Sequence, residues 1–73
     1  MARVIHLLKA GDSALALEMI GQQTAAGDAV TLALLPGATV TPPAGVRAHR
    51  VPDELSWQEL LEQIFAADQV VAW

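Results

Sequence analysis

Two histidines and three nearby basic side chains are the residues of this chain whose chemistry could bind or activate a ligand. His6 lies in an apolar segment and His49 in a more polar one, with Lys9 after the first and Arg47 and Arg50 beside His49. If those segments form neighbouring strands, the five side chains make a positive patch on a chain whose net charge is −4, and such a patch attracts an anion or an acidic partner. A catalytic or metal-binding role would need a further partner residue. The apolar context therefore favours His6 as a hydrogen-bonded histidine of the core or of an interface.

The segment from Lys9 to Ser13 is a second place where a ligand could bind. It follows a predicted strand and precedes a predicted helix, which is where open α/β sheets bind ligands and where helix N–H groups face anions. Gly11, Asp12 and Ser13 match neither a Walker A loop nor a Gly-x-Gly-x-x-Gly fingerprint, and the Asp12 carboxylate would repel a phosphate. The favoured interpretation is a turn in which Asp12 or Ser13 caps the helix. The alternative is a small-anion site formed by this segment and His49.

The remaining polar residues have structural explanations. Ser13 and Ser56 are helix-capping candidates and have no base at a recognisable spacing, so a serine nucleophile is not indicated. The chain has no cysteine, which excludes a cysteine nucleophile and a disulfide. We expect no catalytic residue, no cofactor and no metal site. The carboxylates near the second helix are interpreted as solvated charges: Asp53, Glu54, Glu59 and Glu62.

Alternating strand-like and helix-like segments must position these residues. They predict an α/β fold of order β-α-β-β-α-β, with a small open, mainly parallel four-stranded sheet and two helices. Gly21 within the first helix suggests close packing on the sheet, and the third strand is more polar and nearer an edge. The Pro- and Gly-rich segment Pro36–Gly45 is predicted to be a loop. The predicted strands are Arg3–Leu8, Ala29–Leu35, Val46–Val51 and Gln69–Trp73, and the first helix is Ser13–Ala26.

The second helix has the clearest start signal in the chain. Ser56 followed three residues later by Glu59 predicts a capping box, and Leu55 with Leu60 predicts a hydrophobic staple. Trp57 begins the apolar stripe of this helix, which ends near Ala66 and Ala67. Trp57 and Trp73 are interpreted either as core residues or as interface contacts, since tryptophan is enriched at interfaces.

Composition indicates one small domain, residues 1–73, that associates with other chains. A chain of 73 residues buries only about 60% of its unfolded surface. With 53% hydrophobic and 16% charged residues, it is apolar for its size, so we expect a homo- or hetero-oligomer. Net acidity argues against direct nucleic-acid binding. Because neither a signal peptide nor a membrane-spanning run is recognisable, a cytoplasmic location without membrane contact is expected.

The chain resembles the DsrE/DsrF/DsrH-like superfamily, nearest the DsrH/TusB branch. The resemblance lies in the opening strand Val4–Leu8, the helix end Ala26–Asp28, the segment Val30–Val40, the helix start Ser56–Leu61 and the ending Val70–Trp73. It implies a DsrEFH-like, flavodoxin-like fold and a non-catalytic subunit that assembles with DsrE- and DsrF-like subunits. In that family the assembly relays sulfur, for tRNA 2-thiouridine formation in some bacteria and for sulfur oxidation in others.

Two departures from the family pattern limit what can be carried over. The chain is shorter than typical members and lacks a strand–turn segment after Gly45. DsrE-type members carry sulfur as a cysteine persulfide, which a chain without cysteine cannot do. The resemblance therefore implies a role through contacts, with interface positions expected at His6, Trp57 and Trp73. The alternative is a homo-oligomeric α/β module that binds a small anion.

Overall fold

A single parallel sheet with a helix on each face organises the chain. The computed structural model describes residues 2–11 and 14–73, and its four strands lie in the order β3-β2-β1-β4. The α/β class and the element order are as the sequence predicts. The strands are β1 (Arg3–Leu8), β2 (Ala29–Leu34), β3 (Arg47–Arg50) and β4 (Gln69–Ala72), and the helices are α1 (Ala14–Ala25) and α2 (Trp57–Ala66). The predicted helix caps Asp12 and Ser13 lie outside the described residues.

Alternation along the strands divides the apolar residues between two clusters. Successive side chains of a strand point to opposite faces. Val4 and Leu8 of β1 therefore pack with Ile20 of α1, whereas Leu7 packs beside Leu60 of α2. The α1-side cluster consists of Val4, Leu8, Ala16, Ile20, Val30, Leu32, Leu34 and Ala38. The α2-side cluster is smaller and consists of Ala33, Val51, Leu55 and Leu60.

The start of α2 is the capping box that the sequence predicts. The Glu59 backbone N–H donates to the Ser56 hydroxyl at 3.1 Å, and the Ser56 N–H donates to a Glu59 carboxylate oxygen at 3.1 Å. The bond from the Ser56 backbone N–H, followed by the hydroxyl contact, lowers the pKa of Glu59 because both favour the charged carboxylate. Leu55 and Leu60 lie in one buried cluster, as a hydrophobic staple requires.

Gly37 and Gly21 differ in the space around them. Gly37 follows β2 with φ of 93°, and a Cβ atom there would lie 3.3 Å from the Ala10 Cβ, so the loops after β1 and β2 approach each other closely. Gly21, which the sequence suggests is a close-packing position, is exposed in α1 and has no atom within 4 Å of an added Cβ. The suggestion of close packing at Gly21 is wrong, because Gly21 lies on the solvent side of α1.

Candidate functional site

His6 is the only polar residue that is buried among those described, and both of its ring nitrogens are hydrogen-bonded. It is 0% exposed. The Trp73 indole N–H donates to its Nδ1 at 2.8 Å, and its Nε2 lies 2.6 Å from the Gln23 side-chain oxygen. The His6 and Trp73 rings are nearly parallel, with an interplanar angle of 12° and centroids 6.1 Å apart. These three side chains, from β1, α1 and the residue after β4, connect the first and last strands to the first helix.

The bonding pattern determines the tautomer of His6. An indole nitrogen can only donate, so Nδ1 must accept with its lone pair. Nε2 then carries the proton and donates to Gln23. A neutral imidazole held in this way is a structural element of the core. Full burial places His6 beneath the surface, although an interface position was among the predictions for it.

The predicted cluster of the two histidines does not form. β2 lies between β1 and β3, so the strands that carry His6 and His49 are not neighbours. The two residues also face opposite sides of the sheet, because His6 contacts α1 whereas His49 lines a groove on the α2 face. Arg50 points away from His49 as well, since its guanidinium donates to the Ala38 carbonyl oxygen at 3.3 Å. The prediction of one shared basic patch is therefore wrong.

The segment after β1 remains a separate location. Lys9 and Gly11 are exposed at the carboxyl end of β1, and Asp12 and Ser13 lie outside the described residues. β1 is also where the chain changes direction across the sheet, because β2 and β3 lie on one side of it and β4 on the other. Ligands of open α/β sheets bind at such a point. His49 does not belong to this location, since it opens into a groove with Arg3 and Arg47, the first residues of β1 and β3.

That groove, here called the amino-end groove, runs between the sheet and the last turn of α2 where the strands begin. Its volume is about 440 Å³. Ile5, 4% exposed, forms part of its apolar floor. The polar side chains that line it are Arg3, Thr31, Arg47, His49 and Gln63.

A third feature is an apolar surface on the other side of α2. Trp57, Leu61 and Phe65 recur every four residues, so they form one stripe along the helix. Their exposed fractions are 54%, 51% and 80%. Successive residues of a helix are rotated by about 100° around its axis, so Gln63 and Phe65 lie on opposite sides of Ile64. Because Gln63 lines the groove toward β3, Phe65 points toward β4.

Val70 extends this stripe onto the sheet. It is the register partner of Ile5 and therefore lies on the α2 face of β4, where it is 39% exposed. We call Trp57, Leu61, Phe65 and Val70 the α2/β4 surface. Trp57 is one of the two tryptophans that the sequence leaves open between core and interface, and its exposure shows that it is not a core residue. Sequence periodicity does not single out Phe65, because it assigns Phe65 to the same apolar stripe as the buried Leu60.

The chain matched no protein-family model, no curated protein and no solved structure in the comparisons. Within residues 2–11 and 14–73, no group of three or more histidine, aspartate or glutamate side chains is placed to hold a metal ion. Among the described residues, no helix is long and apolar enough to cross a membrane.

Proposed function

We propose that this chain is a non-catalytic subunit of a sulfur-relay complex of the DsrEFH/TusBCD kind and that it acts through protein–protein contacts. The observation that carries the contact role is the α2/β4 surface. The sulfur-relay role rests on the sequence resemblance described above. The complex would serve tRNA 2-thiouridine formation or sulfur oxidation, the two processes served by that family.

The size of the α2/β4 surface supports a contact role. An aromatic side chain has about 150–250 Å² to bury, so Trp57 and Phe65 at their exposed fractions leave on the order of 300 Å² of apolar area in solvent. Leu61 and Val70 enlarge the patch. Exposed apolar patches of a few hundred Å² are often functional in soluble proteins. Burying this patch against another subunit would remove that area from water, which is favourable.

The edge strand next to the surface supplies the second element of an interface. β4 pairs with β1 on one side and with no described strand on the other, so its outer edge presents backbone donors and acceptors. A partner that adds a strand there would satisfy those groups while its side chains cover Phe65 and Val70.

The chemistry of such a complex must reside in a partner subunit. Persulfide transfer needs a cysteine thiolate, and this chain contains no cysteine. A DsrE-like partner would supply that residue. The contribution of this chain would be to hold the cysteine-bearing subunit in place.

The test is co-purification. The tagged chain is co-expressed with cysteine-bearing DsrE-like and DsrF-like subunits, and the captured proteins are quantified together with the mass of the complex. We expect capture by the wild-type chain and at least a tenfold loss for Phe65→Lys, because a buried lysine ammonium in an apolar contact is not compensated. A stable homo-oligomer that ignores these subunits contradicts the sulfur-relay proposal.

The matched control is Ala25→Lys. Ala25 is exposed, and it occupies the last turn of α1 as Phe65 occupies the last full turn of α2. Both changes add one positive charge near a helix C-terminus, where a cation is favourable. Capture by Ala25→Lys should equal that of the wild type. Equal loss in both variants would show that charge, and not the α2/β4 surface, determines assembly.

A further inference from the structure

We propose that the amino-end groove binds a small organic phosphate, with Arg3 and Arg47 holding the phosphate group. This site lies at the opposite end of the strands from the segment after β1, and it is independent of the α2/β4 surface. The two arginines line one groove, and neither side chain has another partner among the described residues.

Register places the two guanidinium groups on one face. Arg3 pairs with Ala29, and Arg47 pairs with Thr31, two residues further along β2. Strand spacings of about 4.8 Å and rises of about 3.3 Å per residue put the Cα atoms of Arg3 and Arg47 roughly 12 Å apart. Two arginine side chains can converge on one phosphate across that distance. Bidentate N–H donation from a guanidinium matches phosphate oxygens well.

Neither arginine side chain is engaged elsewhere in the described part of the chain. Residues 2–11 and 14–73 offer no hydrogen bond or ion pair to the guanidinium of Arg3 or Arg47, nor to the imidazole of His49. Two carboxylates lie near the same end of the sheet, but neither lines the groove. Asp68 accepts from the Arg3 backbone N–H at 2.8 Å, and Asp28 accepts from the Ala2 N–H at 3.2 Å.

The groove is larger than a bare phosphate needs. Small-molecule sites span about 300–1,000 Å³, and this groove measures about 440 Å³. Its floor includes Ile5, while Thr31 and Gln63 add a hydroxyl and an amide. A ligand with a phosphate, a polar middle part and a partly apolar body would use all of these groups. Sugar phosphates and nucleoside monophosphates share that chemistry.

The experiment titrates ¹⁵N-labelled chain with inorganic phosphate, ribose 5-phosphate, AMP and adenosine. We expect amide shifts for residues of the groove, tighter binding of the two organic phosphates than of inorganic phosphate, and little response to adenosine. Ribose 5-phosphate and AMP distinguish a sugar phosphate from a nucleotide as the preferred ligand. Saturable binding of adenosine as tight as that of AMP, or no shift with any phosphate, overturns the proposal.

Three variants with the same charge change locate the site. Arg3→Gln and Arg47→Gln should each weaken binding of the organic phosphate at least tenfold, whereas Lys9→Gln should leave it unchanged. Lys9 is exposed at the other end of β1, so it also tests the segment after β1. Arg3 and Arg47 are both exposed, and backbone amide spectra verify that each variant is folded. Loss of binding only in Lys9→Gln would move the site to that segment and contradict the proposal.

Discussion

At the scale of single residues, the hydrogen bond from Trp73 to His6 allows a quantitative prediction about stability. Replacing Trp73 by phenylalanine keeps an aromatic ring beside His6 but removes the only donor to Nδ1 among the described residues. A buried acceptor left without a donor costs about 1–3 kcal/mol. We expect Trp73→Phe to lower the free energy of unfolding by that amount, measured by denaturant titration.

The second tryptophan provides the matched control. Trp57 is 54% exposed, and exposed positions tolerate substitution within about 0.5 kcal/mol. Trp57→Phe should therefore leave unfolding nearly unchanged. Long-range ¹H–¹⁵N spectra of the wild type should show Nδ1 of His6 without a proton and Nε2 with one. Equal stability losses in the two variants, or a proton on Nδ1, would contradict the assigned tautomer.

At the scale of elements, the start of α2 predicts a dependence of stability on pH. The pKa of Glu59 is lowered in the folded chain because its carboxylate accepts from the Ser56 N–H. The charged form therefore stabilises the fold above the unfolded-state pKa, and this contribution is lost as pH falls through the lowered pKa. The variant Glu59→Gln can still accept from the Ser56 N–H but cannot titrate. Denaturant titrations are run at pH values from above the unfolded-state pKa of Glu59 down to its lowered pKa in the folded chain. Over that range the free energy of unfolding should fall less for Glu59→Gln than for the wild type.

Two further variants separate the cap from general charge effects. Ser56→Ala should cost about 1 kcal/mol near neutral pH, because the Glu59 N–H loses its acceptor. Glu62→Gln, an exposed change in the same helix, should retain the pH dependence of the wild type. If Glu62→Gln flattens the profile as much as Glu59→Gln does, the capping box is not its source.

The same helix shows how far local patterns determine the structure. Capping residues and apolar periodicity act within a few residues, so the sequence predicts α2 and its cap correctly. The predicted strand Val46–Val51 is longer than β3, which ends at Arg50 because a turn begins there: the Arg50 carbonyl oxygen accepts from the N–H groups of Glu54 at 2.8 Å and Leu55 at 3.0 Å. Which side of α2 faces the sheet was not predictable from its apolar residues, since the buried Leu60 and the exposed Phe65 belong to one broad stripe. The exposed surface depends on how much of the sheet a single helix can cover.

At the scale of the whole molecule, strand order decides which chemical groups meet. The sequence predicts the six elements but not that β2 separates β1 from β3. That order separates His6 from His49, and it brings Arg3 and Arg47 to one face instead. Arg3 had no functional signal in the sequence, because its role depends on a residue 44 positions away. Long-range pairing of this kind leaves no local pattern.

The two edges of the sheet differ in a way that predicts where other chains bind. β3 carries Arg47, His49 and Arg50, and charged edges resist strand pairing. β4 carries Gln69–Ala72 without a charge and borders the α2/β4 surface. We therefore expect assembly with cysteine-bearing relay subunits to slow amide exchange in β4 and the α2 stripe, but not in β3. Hydrogen exchange of the complex is compared with that of the free chain. Protection of β3 together with unchanged exchange in β4 would place the interface at β3 and contradict the prediction.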